Sequence, residues 1–372
     1  MLYESGNRVN KKIICNFGKK YLKAAAIFFC FLLLGANSIF CNPAQENGSP
    51  GNLPGIPAIP VPGNPFIVQP SELNEPVPRN GPHFAVLPDN PRPGDPVTIA
   101  YADNFFGSDS SGLTAVLIDS RGRQQAKAPF FSFTKEENGR EIKTALLAIP
   151  TTAPVSPMVV RIETQERIVA ELPLNVANRV FESERIVLDA QNTEIRSAPN
   201  PQREIEAVQL AAILGRTGTE VFADGKFLPP VSATRRTSSF GGRRVYQYVN
   251  GSTDTSIHAG VDIGVPRNTP VHSSAAGKVV LARFRIVSGY TIILEHYPGV
   301  YSLYFHLESL SVEEGDIVGA GDLVGLSGST GLSTGPHLHW EIRVAGENAD
   351  PDALTARALL DKDEIINKLR LY

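Results

Sequence analysis

The sequence predicts a mainly β fold: two β domains in series, joined by a connector that carries one helix. Three observations support that expectation. Short apolar runs recur from Phe84 to Leu174 and again from Val271 to Val344, each bounded by Gly, Pro, Asn, Asp or Ser, as strands are. Between them lies one stretch, Pro201 to Leu214, with a cap, a first-turn proline and apolar residues at helical spacing. The chain of 372 residues, 42% of them hydrophobic, is long enough for two or three cored domains.

The first 41 residues read as an export signal or membrane anchor. Arg8, Lys11, Lys12, Lys19, Lys20 and Lys23 precede the apolar run Ala24 to Leu34, which small and polar residues close. Left uncleaved, the run is barely long enough to span a bilayer, and the basic flank would stay inside while the rest of the chain is exported. Cys41 offers a lipidation site as a third outcome, with Phe40 before it a poor match to the small residue such sites prefer. All three cysteines (Cys15, Cys30, Cys41) lie in this leader, so the folded domains have neither disulfides nor a thiolate metal site. The leader carries +5 of a chain whose formal charge is −3, leaving about −8 on the remainder, which argues against nucleic acid as a partner.

Residues 42–82 hold eleven prolines, five glycines and no lysine, the composition of an extended tether. Polyproline II geometry gives such a segment a reach on the order of 120 Å. From 83 to 176 seven strands are expected: Phe84–Leu87, Val97–Tyr101, Leu113–Ile118, Phe130–Phe133, Ile142–Ile149, Met158–Glu163 and Ile168–Leu174. Seven strands at this spacing suggest an immunoglobulin-like β-sandwich. Pro93-Gly94-Asp95 opens the second strand and Asp119-Ser120-Arg121-Gly122 closes the third. The segment has one histidine, His83, at its edge and no paired acid and base, so it reads as a spacer or binding module. In the connector, 177–235, the cap Asn200, Pro201, the stripe Ile205, Val208, Ala212 and Leu214, and the stop Gly215 give one helix, expected to pack on a neighbouring domain.

Residues 236–352 are expected to form an all-β domain, and the chemistry concentrates there. Six of the seven histidines (His258, His272, His296, His306, His337, His339) fall within 82 residues. His337 and His339, two apart on an expected strand, point to one face. A hydrolytic zinc takes three protein donors from His and carboxylate and keeps an open position. His258, Asp262 and one of His337 or His339 would supply that set, with the other histidines free to act as base or oxyanion stabiliser.

Four pieces in order carry a resemblance: Ser239-Phe240-Gly241-Gly242-Arg243-Arg244, His258-Ala259-Gly260-Val261-Asp262, Tyr304-Phe305-His306-Leu307 and Gly335-Pro336-His337-Leu338-His339-Trp340-Glu341. Together they resemble the M23 zinc metallopeptidases of LytM/lysostaphin type, which cut peptide cross-links in bacterial peptidoglycan. The resemblance covers about residues 236–352 and implies an antiparallel β domain with a groove. It implies one Zn2+ per chain on His258, Asp262 and His339, with His337 as general base and His306 either orienting the water or, protonated, helping to hold the oxyanion. It also implies a peptidoglycan hydrolase exported to the periplasm or cell envelope, with membrane attachment through the N-terminus as an alternative and protein partners unassigned. The competing function is a non-catalytic wall-binding scaffold that activates a separate amidase; members of that kind typically lack metal donors, and here all stand.

Outside the motif, His272 reads as a rim residue and His296 as a packing or hydrogen-bonding residue. The run Gly325 to Gly331 lacks the Gly-Lys-Ser/Thr ending of a phosphate loop and reads as a turn shaping the groove wall. Residues 353–372 are expected to form one terminal helix or two short ones.

Overall fold

The structure, a computed structural model, describes residues 84–102, 112–136 and 139–370. The expected leader and tether, and His83, lie outside the described residues. Among the described residues no helix is long and apolar enough to cross a membrane.

The first eight strands are β1 (Phe84–Leu87), β2 (Pro96–Ala102), β3 (Thr114–Ile118), β4 (Gln124–Pro129), β5 (Phe131–Lys135), β6 (Glu141–Ala148), β7 (Met158–Glu163) and β8 (Ile168–Leu174). They form two four-stranded antiparallel sheets, ordered β1-β2-β6-β5 and β4-β3-β7-β8. A shared core of Val97, Ile99, Tyr101, Leu117, Leu147 and Val160 lies between them. The strand absent from the sequence expectation is β4. Its residues, Gln-Gln-Ala-Lys-Ala-Pro, include no β-branched or aromatic side chain, and only Ala126 and Ala128 turn inward.

Strand β2 is buried along its whole length because both faces of its sheet are covered. Val97, Ile99 and Tyr101 face the sandwich core, whereas Ala100 and Ala102 join a second core shared with the C-terminal half. That second core also takes Leu359, Leu360, Ile365, Ile366 and Leu369. The last three belong to α4 (Lys362–Arg370), which follows β21 (Glu347–Ala349) and α3 (Pro351–Ala356). The hydroxyl of Thr98 donates to Leu359 O at 2.7 Å, so the terminal helices are joined to the sandwich by hydrogen bonds as well as packing.

The connector contains more structure than expected. Strand β9 (Ser183–Val187) and helix α1 (Ala190–Ser197, capped by Asp189) precede the expected helix α2 (Pro201–Leu214). The Asn200 side chain caps α2 as read, and Gly215 ends it. Its buried face matches the expected one only in part: Leu214 is buried, with Leu210 and Ile213 packed beside it, whereas Ile205 and Val208 are exposed and Glu206 is buried. Glu206 turns inward because its carboxylate accepts the Ile286 N–H at 2.9 Å and its backbone oxygen accepts from Arg285 at 2.9 Å. A buried carboxylate with such partners outranks two aliphatic residues in setting the helix rotation.

The C-terminal half begins with β10 (Arg236–Ser238), β11 (Arg243–Gln247), β12 (Thr253–Ile257), β13 (Gly260–Ile263) and β14 (Pro270–His272). It continues with β15 (Gly277–Arg285), β16 (Gly289–Tyr297), β17 (Val300–Leu310), β18 (Ile317–Val318), β19 (Leu323–Ser327) and β20 (Leu338–Val344). Its large sheet runs β10-β13-β20-β17-β16-β15-β18, with β14, β19 and β21 joined to its side. A small sheet, β12-β11-β9, brings connector strand β9 into parallel pairing with β11. The run read as a groove-wall turn is part strand, Gly325 to Ser327 closing β19, and part loop from Gly328 onward.

Close approach of β13 to β20 depends on Gly260. A Cβ there would lie 2.2 Å from Trp340 O and 2.8 Å from Trp340 C, both backbone atoms that cannot swing aside. Gly260→Ala is therefore expected to lower folding stability by about 3 kcal/mol and to separate the two strands. A denaturant midpoint unchanged from wild type would contradict this.

Candidate metal centre

Asp262 and His339 are direct cross-strand partners in the β13–β20 pair, so their side chains rise from the same face. His258 sits in the two-residue link between β12 and β13, four residues before Asp262. The three side chains converge: His258 Nε2 lies 3.0 Å from His339 Nδ1 and 3.1 Å from Asp262 Oδ1, and His339 Nδ1 lies 2.8 Å from Asp262 Oδ1. All three residues are buried.

Each donor is held through its far atom. His258 Nδ1–H donates to Ser239 O at 2.8 Å, with Ser238 Oγ at 3.1 Å. His339 Nε2–H donates to Glu341 Oε2 at 3.2 Å, and Arg343 binds the other oxygen of Glu341. Asp262 Oδ2 accepts from Arg244 at 2.5 Å. These bonds direct His258 Nε2, His339 Nδ1 and Asp262 Oδ1 at a single point. Separations of 2.8–3.1 Å are close to the roughly 3.3 Å expected between tetrahedral donors about 2.0–2.1 Å from a metal. Two buried imidazole nitrogens and a carboxylate oxygen in mutual contact require a cation or a proton among them, so the residues fit a metal ion.

The charge states agree. Burial alone would raise Asp262, but its close contacts with His258 and His339 hold it well below the usual carboxylate range. Burial lowers His258, leaving it neutral at pH 7. Burial would also lower His339, yet its bonds to Asp262 and Glu341 outweigh that and raise it to about 9. Burial opposes ionisation of Glu341 too, and Arg343 followed by His339 overcomes it, to about 2. A metal entering the empty-handed protein must therefore displace one proton, that of His339, below about pH 9. Apparent metal affinity is expected to rise about tenfold per pH unit from about pH 7 to about 9 and then level off. Competition titration against a chelator across that range checks this; a flat profile would contradict it.

Two further histidines face the same cleft. His337 precedes β20, bridged to Gly328, and its Nδ1–H donates to Gly335 O at 2.8 Å. Its Nε2 is thereby turned inward, 3.7 Å from Asp262 Oδ1. His306 Nδ1–H donates to Thr330 O at 2.8 Å, and its ring centroid lies 4.8 Å from that of His337. His306 takes φ 60°, the left-handed region that few non-glycine residues occupy. Strict strand alternation would put it on the face opposite Phe305, whose ring stacks on His339 at 5.0 Å. The left-handed residue breaks the alternation, so neighbours in sequence both face His339. Gly289, also at positive φ, lets Thr330 come close enough for its backbone oxygen to accept the His306 Nδ1–H bond: a Cβ there would lie 2.1 Å from Thr330 Oγ1.

Burial first, then the neighbouring charges of His337 and His339, push His306 down to about 3. It is therefore neutral at pH 7, and its Nε2 is a hydrogen-bond acceptor, unlike the protonated stabiliser that was one of the two roles the resemblance implied.

The cleft, about 410 Å³ with its open mouth, is walled by Leu332, Ser333 and Thr334 on one side and by Ile186, Leu188 and Tyr246 on the other. Asn192 of α1 spans it, donating to Ser333 O at 3.2 Å. The connector residues among these, like the supports Arg244, Glu341 and Thr330, carried no role in the sequence reading. Only Glu341 left a legible trace there, as an acid two residues beyond His339 on the same strand face. Of the remaining histidines, His272 bonds Gly321 O at the rim. His296 is fully buried, bonded to Ala276 O and Ser302 Oγ, and burial pushes it down to about 4; it touches none of the five site residues.

Residues 256–351 match the family model described as peptidase family M23. The solved catalytic domain of the prophage-encoded M23 protein EnpA from Enterococcus faecalis is 30% identical, with 32% of this chain covering 91% of that one at a TM-score of 0.29. Over this stretch the chain is similar to peptidase family M23. The M23 stretch also resembles the DD-carboxypeptidase/endopeptidase Mpg of Neisseria meningitidis serogroup B, 36% identical over 33% of this chain and 28% of that protein. Peptidoglycan DD-endopeptidase ShyB of Vibrio cholerae is 32% identical over 41% of this chain and 38% of its own length. The chain thus spans well under two thirds of either relative. All three donors and both inward-facing histidines lie inside the M23 stretch, whereas Ile186, Leu188 and Asn192 of the cleft wall lie before it.

Proposed function

We propose that the protein is an exported zinc metalloendopeptidase that hydrolyses peptide cross-links of bacterial peptidoglycan. The observation that carries this is the convergence of His258, Asp262 and His339 beside His337, whose Nε2 lies 3.7 Å from Asp262 Oδ1, and His306, whose ring centroid lies 4.8 Å from that of His337. The relatives named for DD-endopeptidase activity support the substrate class.

Zn2+ held by His258 Nε2, Asp262 Oδ1 and His339 Nδ1 would supply a Lewis acid for the scissile carbonyl and the attacking water. The remaining steps belong to side chains. His337 Nε2 accepts the water's proton as general base and returns it to the leaving amine. His306, neutral and fixed by Thr330, accepts a second hydrogen bond at Nε2 and orients the water. Leu332 and Thr334 on one wall, with Tyr246 on the other, confine an extended peptide over these groups. A complete donor set with both histidines favours catalysis over the scaffold reading.

On this reading the chain divides into an export leader or anchor (1–41), a tether (42–82), an immunoglobulin-like sandwich (83–176), a connector (177–235), the peptidase domain (236–352) and a helical tail (353–372). Its place is the periplasm or cell envelope. Incubating purified protein with isolated sacculi is expected to release cross-link fragments detectable by mass. Chelator should stop the release and zinc should restore it; intact cross-links with zinc-loaded protein would sink the proposal.

A further inference from the structure

We propose that Glu184, in connector strand β9 and outside the M23 stretch, is a positioning residue for two of the metal donors. This rests on the zinc reading above. Parallel pairing sets Glu184 opposite Arg244, so their side chains share one face of the small sheet. Glu184 Oε1 accepts from Arg244 Nε at 2.5 Å and from Ser238 Oγ at 2.7 Å. Arg244 Nη2 in turn donates to Asp262 Oδ2 at 2.5 Å and to Ser238 Oγ at 2.8 Å. Ser238 Oγ lies 3.1 Å from His258 Nδ1.

One carboxylate therefore reaches Asp262 and His258, in each case at the atom facing away from the metal point. Arg244 is a rigid fork with one prong on each carboxylate, and this bidentate arrangement fixes the rotation of the Asp262 carboxylate. Without Glu184 the fork can turn wholly onto Asp262, draw electron density from it and weaken its hold on a metal. The consequence is that the peptidase site is completed by the connector, and movement of β9 alters the site directly.

The test measures zinc affinity of the full chain by competition with a chromogenic chelator. Glu184→Ala is expected to weaken zinc binding about 10–100-fold, the range for outer partners of metal donors. Glu184→Gln, which keeps an acceptor at the same place, should recover most of the loss. Glu182→Ala removes a negative charge from the segment leading into β9 without touching Arg244 or the Ser238 hydroxyl, and should bind zinc as wild type does. Wild-type affinity in Glu184→Ala overturns the inference, as does equal weakening in Glu184→Gln or in Glu182→Ala, either of which makes the effect one of net charge. Arg244→Lys guards against misfolding of the alanine variant: it keeps charge and bulk, but one ammonium cannot span both carboxylates. Its affinity should fall at least tenfold, and no change there also overturns the relay. Failure of the wild-type chain to take up zinc would remove the zinc reading itself, an outcome distinct from all of these.

Discussion

His337→Ala is expected to lower kcat by about 10²–10⁴-fold while the protein still binds one zinc. The loss follows from geometry: Gly335 O holds the Nδ1 proton, so the inward Nε2 carries the basic lone pair, and alanine leaves nothing to take the water's proton. Zinc retention follows because His337 Nε2 stands 3.7 Å from Asp262 Oδ1, outside the 2.8–3.1 Å contacts among the three donors. Turnover on cross-linked peptide and bound zinc per chain are the two measurements. A variant that loses zinc along with turnover would make His337 a donor and displace His339 from that role.

The second large effect is at Asp262. Asp262→Ala should abolish zinc uptake, a greater loss than the about 10–100-fold expected for any outer partner, and activity should go with it. It should also destabilise the metal-free protein by about 3 kcal/mol, because the carboxylate is the common acceptor of His339 and Arg244 and is itself buried. Unfolding by denaturant in the presence of chelator measures this without interference from the metal. The linkage has a definite sign. His339 is raised to about 9 in the folded protein, so its contribution is fully present below the unfolded value near 6.5 and disappears as pH rises through about 9. Asp262→Ala should therefore cost less stability at pH 10 than at pH 6; an equal cost at both would mean that His339 carries no proton there.

Much of the architecture was legible in the sequence where the local pattern agrees with burial. The expected strands from Phe84 to Leu174 were found, as were α2 with its Asn200 cap and the two terminal helices. The failures share a cause. Strand β4 has two inward alanines in place of large apolar groups, and β9 alternates Ser, Glu, Arg, Ile and Val without a buried residue, so each is a strand only because a neighbour pairs with it. Helix α2 buries Leu214 of its apolar stripe but leaves Ile205 and Val208 in solvent, where a hydrogen-bonded Glu206 faces inward instead. Propensity and periodicity report what a segment prefers alone, and these three segments are decided by their partners.

The site divides the same way. The sequence by itself determined the chemistry: which histidines and which aspartate stand in the motif pieces, with His337 and His339 two apart; the structure starts β20 only at Leu338, leaving His337 just before the strand. Tertiary structure decided which nitrogen of each ring faces inward, because a ring's free nitrogen is chosen by the hydrogen bond its other nitrogen makes. Gly335 O and Glu341 lie two residues from the histidines they hold, whereas Ser239 O and Thr330 O come from 19 and 24 residues away. It also decided the left-handed backbone of His306 and the entry of Glu184 from the connector, both of which exist only through non-local packing and strand pairing.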